Sequence, residues 1–138
     1  MRYYRLYSSL CAAVSSMPET FLEVAVYSKA ADMVISSSGG VNWLEDTWSS
    51  TFSLDWTERI LRQHRALYWE YTQEQISEET GKKTEDASIA LYGTYPFNVP
   101  GEMCRGAFKI RLDIDAINRL FREYRTQQTS YYFIDRQG

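Results

Sequence analysis

The sequence predicts an α+β fold: one domain over residues 1–138, a mixed or mainly antiparallel sheet of about five strands, and two main helices, about 55–80 and 114–127. Three observations carry this. Residues 107–112 alternate Phe108, Ile110, Leu112 against Lys109, Arg111 and Asp113, the period-two pattern of a half-buried strand. Ile114, Ile117, Leu120, Phe121 and Tyr124 then recur at helical spacing, with Asp113 or Asp115 as the cap. No linker, repeat or low-complexity segment divides the 138 residues, a length that fits one core.

The other elements follow in chain order. Residues 2–8, with Tyr3, Tyr4 and Tyr7, predict an aromatic strand. Residues 20–27 are apolar on both alternating faces except at Glu23, which suits a buried strand. Met33 to Ser37 predict another strand, stopped by Gly39 and Gly40. Trp48, Ser50 and Phe52 alternate with their neighbours over 47–53 as in a half-buried strand. Asp55 and Glu58 open a helix in capping-box fashion, Ile60, Leu67 and Tyr71 continue its stripe, and Gly81 stops it. Ala87 to Tyr92 predict a strand, and the prolines at 96 and 100 make the next segment a loop. Tyr131 to Ile134 predict a closing strand, joined to 107–112 by a crossover long enough to be parallel. The expected core is Ile60, Leu67, Tyr71, Phe108, Ile110, Leu112, Ile117, Leu120 and Phe121.

Composition narrows function mainly by exclusion. Hydrophobic residues make up 44% and charged residues 24%, so the chain has the means to bury a core. The net charge of −3 disfavours nucleic acid, and no apolar run approaches the roughly 18 residues of a membrane span. The apolar stretch Leu10 to Val14 is shorter than the roughly 7–15 residues of a signal peptide. Cys11 and Cys104 lack the spacing of a zinc or redox pair and are expected as reduced thiols in a cytoplasmic protein, with a single disulfide as the alternative. Neither metal nor cofactor has a recognisable ligand set. Ser36 to Gly40 lacks the lysine and glycine spacing of a phosphate loop and is expected as a turn.

Aromatic residues reach 15%, with eleven Tyr and four Trp, and Tyr, Trp and Arg are the residues that anchor protein interfaces. Six of the eleven arginines fall in two triplets at three-residue steps, Arg59, Arg62, Arg65 and Arg119, Arg122, Arg125. On predicted helices these form ridges, and Trp69 lies between Arg62 and Arg65 opposite the apolar stripe. The expected partner surface is therefore Arg62, Arg65, Trp69, Arg119, Arg122 and Arg125. The only histidine, His64, is a weak catalytic candidate expected to face inward with the stripe. The pattern favours a non-catalytic protein-binding module of inhibitor, immunity or adaptor type. Two alternatives stay open. One is a small enzyme on a nucleotide or phosphate ester with His64 as acid/base; the other is a nucleic-acid-binding accessory protein.

Overall fold

The computed structural model describes residues 2–44, 55–85 and 87–124. In chain order the elements are α1 (Arg2–Ser16), β1 (Phe21–Ser28), β2 (Met33–Ser36), β3 (Gly40–Trp43), α2 (Asp55–Leu61), β4 (Leu67–Thr72), β5 (Gln75–Ile76), β6 (Lys83–Glu85), β7 (Ser88–Tyr95), a 3-10 turn (Gly101–Met103), β8 (Gly106–Asp113) and α3 (Ile114–Tyr124). Six strands form one antiparallel sheet in the order β3-β2-β1-β8-β7-β4, and β5 and β6 pair separately. The fold is α+β and mainly antiparallel, as the alternation of β8 and the helical stripe after it predict.

Side chains alternate between the two sheet faces, and each face has its own helix. On one, Leu10 of α1 packs with Met33 and Ile35, joined by Tyr7, Val24, Val26 and Val41. On the other, Trp56 and Ile60 of α2 pack on Ala25, Tyr27, Val34, Tyr68, Ala90, Tyr92 and Ala107. These are the α1 face and the α2 face. β1 joins the two cores, because Val24 and Val26 serve one and Ala25 and Tyr27 the other. Its two-sided apolar run has this as its cause.

Three expectations are corrected. Residues 2–8 are not a strand but the first half of α1. Tyr3, Tyr7, Leu10 and Val14 repeat at three- and four-residue steps, and burying Leu10 against β2 rewards the helical reading. The helix expected over 55–80 ends at Leu61, and residues 67–72 are strand β4. Leu67 and Tyr71, four apart, share a face in either structure, while the run Tyr68, Trp69, Tyr71, Thr72 has the aromatic and β-branched character of a strand. The expected core is also redrawn. Ile60 and Ile117 are buried, but Leu67, Tyr71 and Leu120 are 49%, 43% and 53% exposed. Phe108, Ile110, Leu112 and Phe121 are half-buried.

The helix after β8 starts as expected: Asp113 Oδ1 accepts the backbone N–H of Ala116 at 2.9 Å, an N-cap. The strand expected at 47–53, the one at Tyr131 to Ile134 with its crossover, and Arg125 lie outside the described residues. Among the described residues no helix is long and apolar enough to cross a membrane.

Candidate functional site

The register of the sheet places three apolar rows on the α1 face beyond β1. Leu67 pairs with Gly93 and Gly93 with Phe108; Trp69 with Leu91 and Leu91 with Ile110; Tyr71 with Ile89 and Ile89 with Leu112. Helix α1 covers β1, β2 and β3, and α3 touches β8, so among the described residues no helix lies over the β4 end of the rows. Leu67 and Tyr71 stand half-exposed at that edge, with Trp69 half-buried between them.

Gly93 shapes the surface. A Cβ built there would lie 2.5 Å from Phe108 Cε1 and 3.1 Å from Leu67 Cδ1, so the Phe108 ring lies over a bare backbone. Phe97, 69% exposed, then leans on Phe108 with ring centroids 6.0 Å apart. Leu67, Phe97, Phe108, Trp69 and Tyr71 thus form an aromatic-rich surface.

The structure separates the arginines from Trp69. Arg59 and Arg62 belong to α2 and its end, over the α2 face, whereas Trp69 belongs to the α1 face. Arg65 is exposed in the turn before β4. The first triplet therefore does not climb one helix, and carboxylates attend it. Arg59 Nη1 donates to both oxygens of Glu70 at 2.9 Å, and Arg62 Nη2 lies 3.6 Å from Glu58. Arg119 and Arg122 do lie on α3 and are exposed; Arg119 Nη2 is 3.9 Å from Glu19.

On the α2 face the aromatic rings stack inward. Tyr68 and Tyr92 are cross-strand partners with centroids 5.0 Å apart and planes 17° from parallel, and the Arg59 guanidinium lies 5.8 Å from the Tyr92 ring centre. Burial, with the Glu70 carboxylate close by, pushes the Tyr92 phenol up to about 12. Such a group stays neutral at physiological pH and offers no acid or base there.

Glu23, the one polar residue of its strand's apolar run, is also accounted for. Its carboxylate accepts hydrogen bonds from Ser36 Oγ (2.8 Å) and Ser38 Oγ (3.0 Å) and lies 3.2 Å from Lys109 Nζ. Burial pushes the Glu23 carboxyl up, but the Lys109 ammonium and the two hydroxyls outweigh it and hold it below the ordinary value. Ser36 Oγ in turn accepts the N–H groups of Ser38 and Gly39. A carboxylate beside this serine turn opposes phosphate there, in keeping with the turn reading.

His64 does not face inward. It sits in the turn after α2, and its side chain is 88% exposed, with Nδ1 3.5 Å from Glu102 Oε1. The correction follows from the early end of the helix, which removes His64 from any stripe. Cys11 and Cys104 are free thiols, and no group of three or more His, Cys, Asp or Glu able to hold a metal occurs among the described residues.

Reading the N-terminus as a strand concealed a second surface. Tyr3, Tyr4 and Tyr7 of α1 face Gly40, Val41 and Trp43 of β3 across an open cleft of about 440 Å³. The signal that finds it is the helical spacing of Tyr3, Tyr7 and Leu10.

A scan of protein-family models, a search of curated proteins and a search of solved structures find nothing that matches this chain.

Proposed function

We propose that the chain is a non-catalytic protein-binding module, and that its partner docks on the open half of the α1 face. The observation that carries this is the edge trio, Leu67 and Tyr71 half-exposed around half-buried Trp69, continuous with Phe97 and Phe108. Large rigid rings beside aliphatic side chains supply desolvation energy at small entropic cost, the pattern of interface hot spots. Arg65 in the preceding turn, and Arg119 and Arg122 on α3, serve as polar groups outside the apolar centre. An adaptor, inhibitor or immunity role fits a domain that binds without chemistry, and free thiols fit a cytoplasmic setting.

The test compares capture from the native host by wild type, by Leu67→Ser with Tyr71→Ser, and by Leu120→Ser on the exposed flank of α3. Loss of one protein from the β4 double variant alone supports the proposal. An unchanged set of captured proteins from that variant sinks it.

One observation favours the enzyme reading, the 3.5 Å approach of His64 to Glu102. At 88% and 62% exposure the pair lacks the water exclusion that general acid–base catalysis at a phosphate ester exploits. His64→Gln is the direct check, and this reading requires it to abolish activity without altering melting.

A further inference from the structure

We propose that the cleft between α1 and β3 binds a proline-rich segment of a partner protein in the polyproline II conformation, with an acidic residue beside the proline run. The cleft lies at the β3 end of the sheet, whereas the docking surface proposed above lies at the β4 end. The two readings therefore stand or fall separately.

Two short runs of sequence build the cleft. Tyr3 and Tyr7 fall on the side of α1 that carries Leu10 into the core with β2, and Tyr4 flanks them. On β3 the side chain of Val41 packs into that same core, so Trp43, two residues on, stands on the same face. Gly40 opens the strand at φ +72°, and a Cβ built there would meet nothing within 4 Å, so this end of the cleft floor is bare backbone. The result is an open cleft of about 440 Å³ walled by three phenols and an indole. Tyr3, Tyr4 and Trp43 are 45%, 75% and 47% exposed, so a ligand reaches their rings without moving the fold.

Chemistry selects the occupant. None of the described residues lining the cleft is charged, and their side chains offer only ring faces, aliphatic surface, phenol hydroxyls and an indole N–H. Such walls match a chain that presents apolar rings and carbonyl acceptors. Proline supplies both and has no N–H of its own, so no backbone donor is stranded when water leaves. Polyproline II is also extended before it binds, which lowers the ordering cost. The spacing agrees. Tyr3 and Tyr7 are about 6 Å apart along α1, and Val41 and Trp43 about 6.6 Å apart along β3, from the rise per residue of each element. Two residues of polyproline II advance about 6.2 Å.

Charge sets the flank. Helix α1 carries Arg2 and Arg5 and no carboxylate, and its N-terminus adds the positive end of the helix dipole beside Tyr3 and Tyr4. Neither arginine lines the cleft, yet both belong to the turn that supplies Tyr3 and Tyr4, within about one helix diameter (10–12 Å) of it. They attract an aspartate or glutamate next to the prolines. They also oppose a quaternary ammonium, the other group that aromatic cages hold, and no described lining residue offers it a carboxylate.

The experiment is fluorescence anisotropy of a labelled oligoproline peptide flanked by aspartates, titrated with the full chain. Choline and vesicles of phosphatidylcholine with phosphatidylserine serve as competitors. Wild type is expected to bind saturably. Trp43→Ala and Tyr4→Ala are each expected to weaken the dissociation constant about tenfold or more, with unchanged circular dichroism. Arg5→Glu is expected to weaken it about threefold and to flatten its salt dependence. A peptide with glycine and serine in place of proline is expected to bind about tenfold more weakly, because it is not extended beforehand. Absence of saturable binding by wild type, equal binding of the glycine–serine peptide, or an unchanged dissociation constant in both ring variants overturns the proposal. Displacement of the peptide by choline or by the vesicles overturns it too, making the cleft an ammonium cage or a membrane-facing surface.

Discussion

Arg59 on α2 and Glu70 on β4 meet across the turn that separates helix from strand, with Arg59 Nη1 2.9 Å from both carboxylate oxygens. The pair ties the short helix to β4 while the Arg59 guanidinium lies over Tyr92. With the side chains 48% and 36% exposed, solvent screens the attraction. A double-mutant cycle on Arg59→Ala and Glu70→Ala should give a coupling of about 0.5–1 kcal/mol in denaturant unfolding. A coupling several times larger would mean that the pair is sealed from water.

The redrawn core makes a contrast that stability measurements read directly. Ile60 is fully buried at 0% exposure in the cluster on the α2 face, whereas Leu120 is 53% exposed. Ile60→Ala should lose about 2–5 kcal/mol. Leu120→Ala should lose under about 1 kcal/mol, the range of surface changes. Equal losses in urea titrations would contradict the assigned faces.

Gly101 holds the loop before β8 against the end of α2. Its N–H donates to Gln63 O at 2.9 Å, and a Cβ built there would lie 2.9 Å from both Ile60 C and Leu61 C and closer still to Ile60 O. Those atoms are backbone and cannot swing aside. Gly101→Ala should therefore lower stability by about 1–3 kcal/mol, as overpacking does. A melting temperature equal to wild type would show that the loop stands off the helix.

The Glu23–Lys109 pair gives a pH signature. With the carboxyl held below its ordinary value in the folded protein, the unfolded chain binds more protons as pH falls through the carboxylate range. The stabilisation is complete above the ordinary glutamate value, about 4.3, and is lost as pH drops through the lower folded value. Glu23→Gln should cost about 3 kcal/mol at neutral pH, since it leaves the Lys109 ammonium, 16% exposed, without its counter-charge. The difference between wild type and Glu23→Gln should shrink towards pH 3, and a difference independent of pH would remove the pair from the account.

How much of this was legible in the sequence depended on which spacing a segment carried. β8 alternates strictly and α3 follows a 3.6 period, so both were readable. Leu67 and Tyr71, like Tyr3 and Tyr7, are four residues apart, a spacing that shares a face in helix and strand alike. The stripe through Ile60, Leu67 and Tyr71 predicts helix for 67–72, which is strand, and aromatic character predicts strand for 2–8, which is helix because Leu10 packs with its partners on β2. The misplaced helix carried the site with it, since Arg62, Arg65, His64 and Trp69 were arranged on a wheel that ends at Leu61. Leu67 and Phe97 went unnoticed as surface residues because the sheet order that exposes them rests on long-range pairing.

The docking claim is tested most directly by the affinity of Leu67→Ala for the protein that wild type captures, measured beside its melting curve. Leu67 is 49% exposed, so its truncation should change stability by less than about 1 kcal/mol. The account predicts a dissociation constant weakened about tenfold or more, equivalent to roughly 1.4 kcal/mol, with an almost unchanged melting temperature. An unchanged dissociation constant with a clearly lowered melting temperature would return Leu67 to the core and contradict the account.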